Sequence, residues 1–115
     1  LFDWGKTKEQ KQAVSLAQQM IAIKKETFEL NNSLQLQESL NEMYKYQDLL
    51  SKDLTIIQLR KKVLDSSTVQ LKNGAITSSE YISELNQFFE AQINQQVHEI
   101  QLLLTKATHK IIQGD

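Results

Sequence analysis

Apolar residues recur along this chain in alternating steps of four and three. They run Leu16, Met20 and Ile23, then polar Thr27, then Leu30 and Leu34, which is the 3.5-residue period of a helix that packs along one seam. A second run passes through Leu36, Leu40, Met43, Gln47, Leu50, Leu54, Ile57, Lys61, Leu64, Thr68 and Leu71. The two runs are out of phase near Leu34 to Leu36, so the buried face is expected to rotate there. A third run, Ile82, Leu85, Phe89, Ile93, Val97, Ile100, Leu104, Ala107 and Ile111, keeps the same spacing. The pattern predicts two helices and nothing else.

Between the second and third runs stands Asn73-Gly74. Both residues tolerate positive φ, and glycine is the usual residue just past a helix C-terminus. Thr77 then offers an N-cap hydroxyl, and Thr77 to Glu80 has the spacing of a capping box. The reading is an all-α, long antiparallel helical hairpin of coiled-coil type, with helix one over about 7–72, a tip at 73–77 and helix two over about 78–112. At roughly 1.5 Å per residue the helices would be about 100 Å and about 52 Å long.

Folding the chain about Ala75 sets facing residues in one constant register. Leu64 meets Leu85, Ile57 meets Ile93, Leu50 meets Ile100, Tyr46 meets Leu104 and Met43 meets Ala107. The expected seam is therefore Leu50, Leu54, Ile57 and Leu64 against Leu85, Ile93, Ile100 and Leu104. Helix two would run out opposite Leu36 to Leu40, which leaves residues 8 to 34 as an overhang of about 40 Å with an apolar stripe and no cover. A second stripe, Leu49, Ile56, Leu59 and Val63, is more than a lone hairpin needs. Two apolar flanks suit a helix in the wall of a helical barrel, with a neighbour on each side. A compact bundle closed by self-association is the alternative.

Composition narrows the function classes. The 115 residues include no proline, no cysteine and three glycines, with 40% hydrophobic and 23% charged residues. That supplies an apolar stripe but not a thick core. A formal net charge of −1 gives no electrostatic case for nucleic acid or anionic lipid, and Arg60, Lys61 and Lys62 read as solvated helix surface. No uninterrupted apolar run approaches the ~20 residues of a membrane-spanning helix. Chemistry is not expected: no acidic pair sits beside a His or Ser in a triad-like arrangement, no glycine-rich phosphate loop is present, and the chain is read as no enzyme, with neither cofactor nor metal. His98 and His109, about three turns apart, are too distant to share a metal and read as surface histidines. The chain begins at Leu1 rather than at a methionine, which suggests a processed chain or an excised fragment.

The ends and the turn carry a resemblance. Leu1-Phe2-Asp3-Trp4-Gly5-Lys6, the run Leu71-Lys72-Asn73-Gly74-Ala75-Ile76-Thr77-Ser78-Ser79-Glu80-Tyr81-Ile82 and the ending Lys110-Ile111-Ile112-Gln113-Gly114-Asp115 are similar, in order, to segments of TolC-like outer-membrane efflux proteins. The chain resembles the C-terminal periplasmic hairpin of that family, with residues 1–5 as the remnant of a membrane β-strand and 1–115 as a single periplasmic α-hairpin domain. It departs from many members in Ala75-Ile76 at the tip and in Ser83, where some members carry an aspartate.

The resemblance implies a segment of a homotrimeric conduit in the cell outer membrane and periplasm. Its membrane contact would be made only through a β-barrel that is no part of this chain. Asn73, Gly74, Ala75, Ile76, Thr77 and Ser78 would dock a periplasmic adaptor, or membrane fusion protein, working with an inner-membrane pump. Glu80, Ser83 and Glu84 would line the pore entrance, Glu80 as a ring of three carboxylates. The plainer reading of Glu80 is helix capping, and of Glu84 solvated surface. Trp4 fits an interfacial anchor or a cap over the start of helix one. A different class of function is a stand-alone coiled-coil scaffold that binds partner helices along residues 8–34.

Overall fold

The computed structural model describes the backbone from Phe2 to Gly114 and the side chains from Thr7 to Gly114. It contains two helices, α1 (Phe2–Lys72, 71 residues) and α2 (Ser78–Gln113, 36 residues), and no strand among the described residues. The all-α hairpin expected from the apolar spacing is the fold found. One boundary differs. Residues 2–5 are helical rather than a strand remnant. A strand would need a neighbouring strand for its backbone groups, whereas a helix satisfies its interior groups within the segment.

The chain divides into two compact units, Leu1–Gln37 and Glu38–Asp115. In the first, every side chain from Thr7 to Asn31 is exposed. These include Leu16, Met20, Ile23 and Leu30 of the stripe that sequence leaves uncovered, and Phe28 beside it.

The second unit holds the hairpin. The turn that makes it is built from local chemistry at both helix ends. Gly74 takes φ of 72°, so that its N–H reaches the Leu71 carbonyl at 3.1 Å and the Ala75 N–H reaches that of Gln70 at 2.8 Å. These are the two bonds of a Schellman closure. A Cβ at Gly74 would meet nothing within 4 Å, so the demand for glycine is conformational, not steric. Three residues later Thr77 is the N-cap of α2. Its Oγ1 accepts from the Glu80 N–H at 3.1 Å, and its own N–H donates to Glu80 Oε2 at 3.2 Å. The expected capping box is present. At the far end, Gly114, with φ of 83°, closes α2 by donating its N–H to the Ile111 carbonyl at 3.1 Å.

A continuous series of covered positions on α1 in this unit runs Ser39, Met43, Tyr46, Leu50, Asp53, Ile57, Arg60, Leu64, Ser67 and Leu71, with half-buried Leu40, Leu49 and Thr68 at its flanks. The matching series on α2 runs Tyr81, Glu84, Phe88, Ala91, Gln95, His98, Leu102, Thr105, His109 and Ile112, with half-buried Leu85, Gln87, Gln92 and Gln101 at its flanks. Both series step by three and four without a break, the period of coiled-coil packing. Contacts of Ser39 with His109 and of Asp53 with His98 bracket the register expected from the apolar pairs. The hairpin is thus paired along its length as predicted, but through a different face of α2.

Four residues of the expected seam are exposed as a result: Leu54 (54%), Ile93 (56%), Ile100 (57%) and Leu104 (62%). Leu50, Ile57, Leu64 and Leu85 are half-buried. On α1 every second seam position falls one residue earlier than expected, at Tyr46, Asp53 and Arg60 rather than exposed Gln47, Leu54 and Lys61, and at buried Ser67 beside half-buried Thr68. The most covered side chains are small or polar: Ser39, Asp53, Ser67, Ala91 and Thr105. Small side chains let helices approach closely, and Ser39, Asp53 and Thr105 each have a hydrogen-bond partner. Thr105 Oγ1, for instance, donates to the Gln101 carbonyl at 2.8 Å.

Candidate functional site

Two regions carry the residues singled out by sequence, the tip and the first turns of α2. At the tip, Asn73, Gly74, Ala75, Thr77 and Ser78 are exposed and Ile76 is half-buried. The Schellman closure and the capping box hold this backbone from both sides, so the tip presents a fixed set of exposed groups rather than a free loop.

Glu80 and Ser83 are exposed. One oxygen of Glu80 is engaged by the Thr77 N–H, and a carboxylate in the first turn is also favoured by the helix dipole. Capping is therefore the role its geometry displays. Glu84 is not the solvated surface residue expected. It is half-buried, and its Oε2 is buried with no hydrogen-bond partner. The reason lies in the face of α2 that turns inward, which places position 84 on the seam between Tyr81 and Phe88.

The histidines correct a second expectation. Neither is a simple surface residue. His98 Nδ1 lies 2.5 Å from Asp53 Oδ2, with the Asp53 side chain 9% and that of His98 23% exposed. His109 Nδ1 lies 2.5 Å from Ser39 Oγ, and Gln113 Nε2 lies 2.9 Å from His109 Nε2. The Tyr46 ring stands 6.4 Å from that of His98, and Lys45 Nζ lies 5.4 Å from the Tyr46 ring centroid. Periodicity in apolar residues could not flag Asp53, since it stands 45 positions from its partner. The available signal was the 3.5-residue spacing shared by Ser39, Tyr46, Asp53 and Arg60 with the apolar seam.

Arg60 belongs to that seam and is half-buried, whereas Lys61 and Lys62 are exposed. Among the described residues no cluster of three or more His, Asp or Glu could hold a metal ion. No helix there is long and apolar enough to cross a membrane.

Comparison with protein-family models, curated proteins and solved structures finds no match to this chain. Its functional reading rests on its own geometry and residues.

Besides the tip, the other surface of note is the outer side of the hairpin. Ile82, Phe89, Ile93, Val97, Ile100, Leu103, Leu104 and Ile111 are all exposed on α2, and Ile56, Leu59 and Val63 on α1. On α2 these residues occupy the positions between the covered ones. The helix therefore turns its most apolar stripe away from α1, an arrangement suited to contact with further helices.

Proposed function

We propose that this chain is the periplasmic α-barrel segment of an outer-membrane efflux or export channel, forming part of the conduit wall and docking a periplasmic adaptor at its tip. The observation that supports this reading is the outward stripe of Ile93, Ile100 and Leu104. A hairpin that acted alone would bury those side chains, whereas a wall element needs a contact surface for the next hairpin as well as one for its own partner helix. The constrained, exposed tip from Asn73 to Ser78 supplies the end-on surface an adaptor would meet. Glu80 and Ser83, exposed just beyond it, would lie at the entrance of the assembled conduit, the three copies of Glu80 forming an acidic ring. An inner-membrane pump would supply the energy, and the full-length protein would be a homotrimer.

Since the chain has no cysteine, a thiol introduced at Ala75 or Thr77 would be its only one. In the full-length protein, Ala75→Cys or Thr77→Cys is expected to cross-link to a co-expressed adaptor. Cross-links from mid-helix positions such as Lys62→Cys, with none from the tip, would refute the docking assignment.

The second reading, a stand-alone coiled-coil scaffold, is favoured by the exposed apolar side chains of Leu16 to Leu30, which offer a long surface for a partner helix. The residues encoded before Leu1 separate the two. Alternating segments of strand length behind a signal peptide support the channel, and a helical or absent upstream segment supports the scaffold.

A further inference from the structure

α2 carries two stripes of coiled-coil spacing on opposite sides of the helix. The stripe facing α1 holds Tyr81, Phe88, Leu102 and Ile112 but is interrupted by Glu84, Gln95, His98, Thr105 and His109, whereas the one facing outward is apolar at Ile82, Phe89, Ile93, Ile100, Leu104 and Ile111. Turning α2 about its own axis by about 180°, half a turn of helix, would bring the outward stripe against Leu50, Ile57 and Leu64. Burial of apolar surface alone favours that rotated state. The hairpin nevertheless adopts the more polar seam.

We propose that two polar clasps, Asp53 with His98 and Ser39 with His109, select the face of α2 that turns inward and so keep its apolar stripe outward. The inference concerns only the packing of α1 on α2 and does not depend on the channel reading. Asp53 lies in the α1 seam between Leu50 and Ile57 and is 7% exposed. Rotation of α2 would carry His98 away and leave that carboxylate covered and unpaired, an outcome far worse than the loss of an exposed ion pair. The second clasp acts in the same sense near the end of the pairing: Ser39 would lose His109, whose other ring nitrogen is held by Gln113. Both histidines of the chain are spent on these two contacts. A single buried polar residue can fix the register of a coiled coil at some cost in stability, and here the same device fixes helix rotation.

Paired thiols in this cysteine-free chain report rotation directly. Ile57→Cys with Ala91→Cys tests the polar seam, and Ile57→Cys with Ile93→Cys tests the rotated one. In the parent hairpin, disulfide formation within monomers should favour the first pair by at least about tenfold. Asp53→Leu, which leaves His98 without a partner and keeps the seam apolar, should lower that ratio by about tenfold or reverse it. His98→Ala should shift it the same way, so that either variant suffices should the other fail to fold by circular dichroism. Asp53→Asn, which still offers His98 an acceptor, should hold the parent ratio. An unchanged ratio in the folded Asp53→Leu or His98→Ala chain, or a preference for the Ile93 pair in the parent, would overturn the proposal.

Discussion

Glu84 has one carboxylate oxygen that meets neither water nor a donor. It stands in the second turn of α2, past the reach of the orphan N–H groups and the strongest part of the helix dipole. The contrast with Glu80, four residues earlier, is instructive: the same side chain is stabilising where it closes a capping box and costly where it points into the seam. Removing the charge while keeping the shape should therefore help the hairpin. Glu84→Gln is expected to raise stability by about 1 kcal/mol, read as a higher midpoint in thermal unfolding followed by far-UV circular dichroism. A lower midpoint would mean that the carboxylate is satisfied in solution. Asp53 is the opposite case, more deeply covered yet paired with His98, and its cost is offset for that reason.

The elements themselves depend on short-range rules. Nothing between Lys6 and Asn73 breaks a helix, Gly74 supplies the left-handed residue that ends α1, and Thr77 with Glu80 starts α2. Thr77→Ala removes the cap oxygen and leaves the Glu80 N–H without its partner. It should cost about 1 kcal/mol, measured by denaturant unfolding, and Thr77→Ser should recover most of the loss. This part of the fold was legible in sequence because each signal lies within a few residues of the structure it makes. The packing between the elements was legible only in part. Register could be read, since Asn73-Gly74 anchors it, and the contacts of Ser39 and Asp53 with the histidines agree with it. Helix rotation could not. Ranking positions by hydrophobicity places Ile93, Ile100 and Leu104 on the inner face, whereas the actual inner face is chosen by a pairing between Asp53 and His98 that no local window contains. For the candidate site, the tip residues fall where sequence placed them, while Glu84 changes from surface to seam as a direct consequence of that rotation.

At the scale of the molecule, neither unit encloses an ordinary core. Ala91 is the one buried hydrophobic residue among those described, and no large side chain is fully buried. Folding must still offset the conformational entropy of ordering the chain, roughly 1–2 kcal/mol per residue for the backbone, and helix propensity with a half-covered seam leaves little margin. The stabilisation available but unused is the exposed apolar surface itself. A large aliphatic side chain contributes about 1.5–3 kcal/mol when fully buried, and Ile93, Ile100, Leu103 and Leu104 are each more than half exposed within a short length of α2. The chain is therefore expected to associate through this stripe, with an unfolding midpoint that rises with protein concentration. Ile100→Lys combined with Leu104→Lys should abolish that concentration dependence and shift sedimentation toward monomer. It should leave the intramolecular seam intact, because both residues point away from α1. Ile57→Ala, made on the covered face, should instead lower the free energy of unfolding, by less than the roughly 2–5 kcal/mol of a fully buried site, without changing the order of association. If the parent chain sediments as a strict monomer at high concentration, the outward stripe is not a contact surface, and the wall-element reading loses its support together with it.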